Sequence, residues 1–165
     1  MSEARIVDAH EQPSVATVRA LFEEYSRGVG VDLCFQNFSK ELAELPGDYR
    51  PPRGALLIAL VDGATTGCIA LHAWDADVAE MKRLYVRPTA RGSGLGRELT
   101  LATIDRARSA GYRRLRLDTL PSMQTAIALY RSLGFAEISP YRENPVPGSL
   151  FFELDLTASK TWKTR

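Results

Sequence analysis

The sequence predicts an α/β domain (α+β in some schemes) that contains seven strands and four helices. Segments with the two-residue alternation of strands interleave with segments of helical periodicity along the chain. A glycine-rich loop joins one predicted strand to one predicted helix, and another strand follows, which is the order of a βαβ unit. The 165 residues, of which 45% are hydrophobic, suffice for one domain with a sizeable core.

The N-terminal third is predicted to contain an edge strand and two helices. Residues 4–10 form a short apolar run of the strand type. Residues 14–30 carry apolar side chains at the spacing of one helix face. A second, shorter helix over 35–47 ends at Pro46 and Gly47, and the proline-rich stretch after it cannot form a regular ladder.

The centre of the chain is predicted to contain three consecutive strands. Two apolar runs, residues 55–61 and 64–74, are joined by a turn around Asp62 and Gly63, which is typical of a β-hairpin. A third strand-like run, residues 78–88, leads directly into the glycine-rich loop.

The last part of the chain alternates between helix and strand. A helix predicted over 95–111 is followed by an alternating strand over 112–120 and by a helix over 123–134. Two final strands, residues 135–141 and 149–156, complete the set of seven.

Composition excludes several classes of protein. A formal net charge of +1 gives no reason to expect nucleic acid or a membrane surface as a partner. Two cysteines are too few for a disulfide framework and fit a cytoplasmic location, and with two histidines they lack the paired spacing of a zinc site. No apolar run approaches the ~20 residues of a membrane span. We expect a single domain over residues 1–156, with residues 157–165 as a flexible tail.

The loop Arg91–Gly96 reads RGSGLG and stands directly before the helix at 95–111. The first N–H groups of a helix have no partner within it and carry partial positive charge. Glycine lets such a backbone approach a ligand closely. The loop therefore favours binding of a phosphate or pyrophosphate group.

Other interpretations of the loop compete with this one. A glycine-rich turn can serve backbone geometry alone. A dinucleotide site, in which Asp118 would hold the ribose, requires G-x-G-x-x-G, whereas Gly92, Gly94 and Gly96 alternate here and the preceding strand is too charged for a buried parallel strand. A P-loop is excluded because no Gly-Lys-Ser/Thr follows.

Two motifs at a characteristic separation resemble the Gcn5-related N-acetyltransferase (GNAT) superfamily. Arg91, Gly94 and Gly96 match its R/Q-x-x-G-x-G/A signature. The stretch ALYRSLGF, about 34 residues further on, matches a second motif through Tyr130 and Phe135. The order of strands and helices also fits this superfamily over nearly the whole chain.

The resemblance implies a mixed, mostly antiparallel sheet of seven strands whose central strands splay apart to hold acetyl-coenzyme A, with no metal. The backbone of the first splayed strand would bind the pantetheine arm, and the loop would bind the pyrophosphate. Many relatives carry Asn where this chain has Met123. The predicted cofactor-binding residues are Leu84, Tyr85, Val86, Arg91, Gly92, Ser93, Gly94, Leu95, Gly96 and Arg97.

The resemblance also implies direct acetyl transfer to a primary amine in a ternary complex. Tyr130 is then the predicted acid that protonates the leaving thiolate, because a phenol of pKa about 10 matches a thiolate of similar basicity. An N–H of the splayed strand, such as that of Leu84, would stabilise the oxyanion. Periodicity alone predicts that Tyr130 is an ordinary core residue on the apolar face of its helix.

Glu80 is the predicted base that takes a proton from the incoming ammonium, directly or through water. Burial beside an apolar acyl pocket is expected to raise the pKa of this carboxyl. The competing interpretation is a solvated glutamate at the end of a strand, and Asp75 and Asp77 are weaker candidates in a predicted turn.

The acceptor site is expected between the first two helices, the loop that follows them and the loop before the last strand. The predicted acceptor is a small, amino-acid-like amine. The alternatives are a protein or peptide N-acetyltransferase and a non-catalytic regulator that binds acyl-coenzyme A, and a homodimer is compatible with the sequence. The predicted substrate-binding residues are Tyr25, Phe38, Tyr49, Arg53 and Arg142, with Phe35 and Asn144 as further candidates.

Overall fold

The computed structural model of the protein describes residues 3–30 and 37–158. The strands are β1 (Ala4–Asp8), β2 (Ala55–Val61), β3 (Ala64–Ala73), β4 (Val78–Val86), β5 (Arg114–Thr119), β6 (Ala136–Ile138) and β7 (Leu150–Asp155). The helices are α1 (Ser14–Val29), α2 (Phe38–Glu44), α3 (Leu95–Ser109) and α4 (Gln124–Ser132). The strands form one sheet in the order β1-β2-β3-β4-β5-β7-β6, in which only the β4–β5 pair is parallel. The predicted fold class is confirmed.

Most elements begin and end within two residues of their predicted bounds, and two differ by more. Helix α2 begins at Phe38, and the predicted start at Phe35 lies outside the described residues. Strand β6 ends at Ile138 instead of continuing to residue 141, because Pro140 has no N–H to donate to a ladder.

The sheet has a hydrophobic cluster on each face. On one face α3 and α4 cover alternate strand residues such as Leu71 and Leu115. On the other face α1 buries Val18, Leu21 and Phe22 against the first strands of the sheet. No helix in the described part of the chain is both long and apolar enough to cross a membrane.

The sheet opens in its middle, between β4 and β5. These parallel strands pair only where Val78–Glu80 face Arg114–Arg116. Beyond Glu80, β4 continues to pair with β3, and β5 continues to pair with β7. The facing edges of β4 and β5 therefore separate into a gap that begins at Glu80 and widens along both strands.

A β-bulge in β4 lies beside this gap. Tyr85 pairs with Cys68 and Lys82 pairs with Ala70, so that two residues of β4, one of them Arg83, face a single residue of β3. Arg83 has a φ of 63°, a left-handed conformation that is unusual for a residue with a Cβ. Its buried guanidinium makes two hydrogen bonds to Glu41 of α2, at 2.9 and 2.8 Å, which ties α2 to the bulge.

Candidate active site

The glycine-rich loop leads from β4 to the N-terminus of α3. Gly92 and Gly94 have φ angles of 83° and 85°, which glycine adopts without strain. The N–H of Glu98 bonds to the carbonyl of Gly94 at 3.1 Å, but the N–H groups of residues 92–97 donate to no backbone acceptor among the described residues. These N–H groups are therefore available to an anion at the start of the helix.

Arg91 connects this loop to the splayed strand. Its Nε donates to the carbonyl oxygen of Val86 at 2.9 Å, and its guanidinium lies 5.9 Å from the centre of the Tyr85 ring. Arg97 is exposed one turn into α3, on the same loop–helix junction. An anion at this junction would lie between two positive side chains as well as against the backbone N–H groups.

Tyr130 lies in the hydrophobic cluster beneath the sheet, with 5% of its surface exposed. Its ring packs against Phe135 and Phe152, at centroid distances of 5.6 and 6.3 Å. Burial raises the pKa of Tyr130, and the nearby Tyr25 and Asp118 raise it further. The raised pKa keeps the hydroxyl protonated at neutral pH. The hydroxyl makes no hydrogen bond within residues 3–30 and 37–158, so its donor is unused there.

Glu80 stands at the point where β4 and β5 separate, and its side chain is completely buried. Its Oε1 accepts hydrogen bonds from His72 Nε2 at 2.8 Å and from Arg142 at 2.6 Å. Its Oε2 accepts a hydrogen bond from the Tyr141 hydroxyl at 2.6 Å. Both carboxylate oxygens are thus occupied by donors from three different side chains.

These partners reverse the expected direction of the Glu80 pKa. Burial raises the pKa of the carboxyl, as the sequence suggested. The hydrogen bond from His72 and the positive charges of Lys82 and Arg142 outweigh burial, so that the net pKa lies below the ordinary value. A carboxylate that is ionised, fully bonded and of lowered pKa is a weak proton acceptor.

The loop between β6 and β7 brings Tyr141 and Arg142 over this point. The Tyr141 ring packs edge-on against Trp74 at 5.0 Å and against Phe151 at 5.4 Å. The Arg116 guanidinium lies 4.6 Å from the centre of the same ring. The loop is therefore held by aromatic and cation–π contacts to three strands or their ends.

A cavity of about 270 Å³ lies on this side of the sheet, between α2, the turn after it and β4. Lys82 contributes to its floor; burial, and then the charge of Arg83, lower the pKa of this side chain to about 8. Glu80 does not line the cavity, whereas its partners His72 and Arg142 do. The full lining is Asn37, Lys40, Glu41, Glu44, Pro46, Gly47, Asp48, Tyr49, His72, Lys82 and Arg142.

Comparison with known proteins agrees with this architecture. Residues 16–135 match the Acetyltransferase (GNAT) family. The chain belongs to the GNAT acetyltransferase family. An uncharacterized N-acetyltransferase of Schizosaccharomyces pombe is 40% identical over 141 residues, which cover 84% of this chain and 86% of that protein. The IAA acetyltransferase of Azospirillum brasilense is 40% identical over 150 residues, which cover 90% of this chain and 96% of that protein.

A solved structure of the same fold contains the coenzyme. The Salmonella typhimurium protein yncA, solved with its cofactor acetyl-CoA, has a TM-score of 0.68 and 22% identity, with 93% of this chain and 94% of that chain covered. Membership of the GNAT family confirms the resemblance found in the sequence and the predicted enzyme class, an acyltransferase of an acetyl-CoA-dependent family. No group of three or more His, Cys, Asp or Glu side chains in the described residues is arranged to hold a metal ion.

In this GNAT domain the residues predicted to bind the acceptor substrate do not all lie at one site. Tyr49 and Arg142 line the cavity. Tyr25 and Phe38 lie against the Arg83 guanidinium, at 5.7 and 5.1 Å from their ring centres. Arg53 is placed elsewhere: it donates to the carbonyls of residues 75, 76 and 110 and covers the Tyr112 ring at 4.0 Å.

The remaining candidates take supporting positions. Asn144 donates to Asp118 at 3.1 Å, on the β5 side of the gap. Asp75 accepts N–H bonds from Asp77 and Val78, at 2.8 Å each, and shapes the β3–β4 turn instead of reaching the cavity. Phe35 lies outside the described residues.

Sequence reasoning missed His72, Lys82 and Tyr141. The pairing of the strands predicted at residues 64–74 and 78–88 contained a signal for His72 and Lys82. In an antiparallel hairpin with its turn near residue 76, His72 falls opposite Glu80 and Ala70 falls opposite Lys82, as the structure has them. No comparable signal existed for Tyr141, because its position depends on the path of the loop between β6 and β7.

Proposed function

We propose that this GNAT protein transfers the acetyl group of acetyl-CoA to the primary amine of a small molecule that also carries an acid group. The observation that carries the proposal is the cavity beside the start of the β4–β5 gap. It is small, and its lining includes three cationic side chains, Lys40, Lys82 and Arg142, of which Lys82 belongs to β4.

The cations of the cavity suggest the acid group of the acceptor. The Lys82 ammonium lines the cavity and has no salt-bridge partner among the described residues. A carboxylate that entered the cavity would supply an acceptor to this ammonium, which would remove the cost of leaving it unpaired. The amine of the same molecule would then lie toward the gap.

The coenzyme would occupy the gap and the loop. Its pyrophosphate would accept hydrogen bonds from the N–H groups of residues 92–97, between Arg91 and Arg97. Its pantetheine arm would run along the free edge of Leu84, Tyr85 and Val86, beyond the last β4–β5 pair. The thioester would thus come to the narrow end of the gap, near the cavity.

Proton balance defines what the side chains must do. The acceptor ammonium has three N–H bonds and the product amide has one, so that two protons leave nitrogen. One proton ends on the sulfur of coenzyme A, and the other is released to solvent. Attack forms the C–N bond and an oxyanion, which the Leu84 N–H would stabilise. Cleavage of the C–S bond follows, and the Tyr130 hydroxyl would protonate the thiolate. The second proton that leaves nitrogen would then restore the Tyr130 hydroxyl.

Matched acceptors test this proposal. Each amino acid in the set is compared with its amide and with the amine that lacks the carboxyl group, and short peptides are included; release of free thiol from acetyl-CoA is measured. We expect turnover with the amino acids and a much higher KM for their amides. Preferential turnover of peptides, or binding of acetyl-CoA without turnover of any amine, would contradict the proposal.

Lys82 gives this test a second component. Because its pKa is about 8, the side chain loses its charge as pH rises through that value, so that the KM of an acid-bearing acceptor should rise above pH 8. Lys82→Met should raise this KM on the order of tenfold or more, the usual size for a charged hydrogen bond, and abolish its rise with pH. The KM of the corresponding amide should not change.

A further inference from the structure

We propose that His72 is the group that takes the proton from the acceptor ammonium, and that Glu80 acts by orienting it. The inference rests on the proposed function, because it concerns proton removal in the same acyl transfer. It changes the role predicted for Glu80 from base to positioning residue.

Access separates the two side chains. The Glu80 side chain is 0% exposed and lies behind its partners, whereas the His72 side chain is 19% exposed and lines the cavity. An acceptor in the cavity can therefore contact His72 but not Glu80. Since proton transfer requires hydrogen-bond distance, directly or through one water, this difference favours the imidazole.

The hydrogen bond between the two residues determines the tautomer of the ring. An ionised carboxylate can only accept hydrogen bonds, so that the Nε2 of His72, 2.8 Å from Glu80 Oε1, must carry hydrogen. In a neutral imidazole the lone pair then lies on Nδ1. Nδ1 makes no hydrogen bond to a described residue, and it is not a fully buried atom.

The ring is also held in place from the side. The Tyr49 ring packs edge-on against it at a centroid distance of 5.8 Å and an interplanar angle of 81°. Arg142 and Tyr141 occupy the other donor positions on Glu80, which keeps the carboxylate fixed toward His72. The arrangement therefore fixes both the orientation and the tautomer of a base that faces the cavity.

The charged groups around the cavity also bear on proton transfer to His72. On β4, Glu80 is buried behind its partners and Lys82 is a donor, so neither side chain offers the acceptor ammonium an accessible base. Proton transfer to Nδ1 gives an imidazolium whose charge Glu80 balances through Nε2–H, and solvent later removes this proton. The other groups around the ring are Tyr49 and Asp48 after α2, Lys40, Glu41 and Glu44 on α2, and Arg142 in the β6–β7 loop.

His72→Gln is the central variant, because a glutamine amide nitrogen can still donate to Glu80 but offers no basic nitrogen. We expect turnover to fall on the order of 10²-fold, the usual contribution of a general base, with unchanged affinity for acetyl-CoA by calorimetry. His10→Gln, at the second histidine of the chain, is the matched control and should leave turnover unchanged.

Three readouts distinguish a base from a structural residue. The pH dependence of kcat/KM should differ between the unmodified enzyme and His72→Gln. The deficit of the variant should shrink for acceptors of low amine pKa, which arrive already neutral. His72→Ala should regain activity in proportion to added imidazole, whereas Glu80→Gln should not.

The tautomer can be measured without any acceptor. Nitrogen NMR of the histidine side chains should show hydrogen on Nε2 of neutral His72, and Glu80→Gln should weaken this preference. Hydrogen on Nδ1, or a His72→Gln variant that keeps full turnover or an unchanged pH profile, would overturn the inference. A protein that turns over no amine but shows the Nε2–H tautomer would instead contradict the proposed function.

Discussion

Tyr130 shows how one side chain can belong to the core and remain available for chemistry. The ring fills space between Phe135 and Phe152, while the hydroxyl bonds to no described residue. The same burial that raises the pKa of Tyr130 would also raise the basicity of a coenzyme thiolate beside it. Transfer of the proton then remains feasible despite the weaker acid.

Tyr130→Phe should therefore lower turnover on the order of 10²-fold and leave acetyl-CoA affinity within a few-fold. Because the folded protein loses no hydrogen bond in its described part, the melting temperature should change little. Tyr112→Phe is the matched control: its hydroxyl donates to the Arg53 carbonyl at 2.6 Å, so that this variant should lose about 1 kcal/mol of stability and no activity. An unchanged rate of the chemical step in Tyr130→Phe would leave Tyr130 as a packing residue.

For Glu80, the sequence could not predict the hydrogen-bond partners that determine the pKa of its carboxyl group. A glutamate in strand β4 gives no indication of how many donors will reach it. Tyr141 and Arg142 lie in a loop, 61 and 62 residues after Glu80 in the sequence. Their contacts lower the pKa of Glu80 in spite of burial, so that the strand pattern correctly located the carboxylate but not its chemistry.

At the scale of elements, the loop and the start of α3 form one structural unit whose geometry is suited to bind an anion. The glycines provide the φ angles, Leu95 anchors the start of the helix in the core, and the N–H groups of residues 92–97 have no backbone partner in the part of the chain that the structure describes. This unit was predictable, because its geometry depends only on neighbours in sequence. The acceptor cavity was not, since it depends on how α2, the β6–β7 loop and β4 pack together.

Gly94→Glu should abolish acetyl-CoA binding in calorimetry, because the new side chain adds negative charge where the pyrophosphate would bind. Gly111→Glu is the matched control at the other end of α3. Gly94 and Gly111 have φ angles of 85° and 90°, and at neither would an added Cβ meet an atom within 4 Å. Both variants should thus lose similar stability from backbone strain, but Gly111→Glu should bind the coenzyme normally. Equal binding by the two variants would exclude the loop as the pyrophosphate site.

For the molecule as a whole, the succession of strands along the chain followed from local patterns, and the mixed sheet with splayed central strands was implied by the family resemblance. The two-residue alternation of β5 and the turn at Asp62–Gly63 are visible in the sequence and present in the structure. The presence of a gap between two central strands was implied by the resemblance alone. Nothing in the composition of either strand shows that their pairing stops after Glu80.

Acetyl-CoA should stabilise the whole protein, because the proposed site exists only when the sheet is folded. At a concentration of one hundred times Kd, the added free energy of unfolding should be about 2.7 kcal/mol. A thermal melt with and without acetyl-CoA measures this shift, and dephosphorylated pantetheine fragments should give a smaller one. Gly94→Glu should show no shift, and a full shift in that variant would contradict the proposed site.

The gap between β4 and β5 has a consequence for the protein before it meets its coenzyme. From Met81 to Val86, one edge of β4 pairs with no strand of residues 3–30 and 37–158 although it lies in the middle of the sheet. Unpaired edges of this kind are templates for strands of other chains, and proteins ordinarily place them at the margin, where charge or covering loops protect them. If the pantetheine arm occupies this edge, the coenzyme acts as a removable cover against self-association. The cellular supply of acetyl-CoA would then influence the solubility of the enzyme as well as its rate.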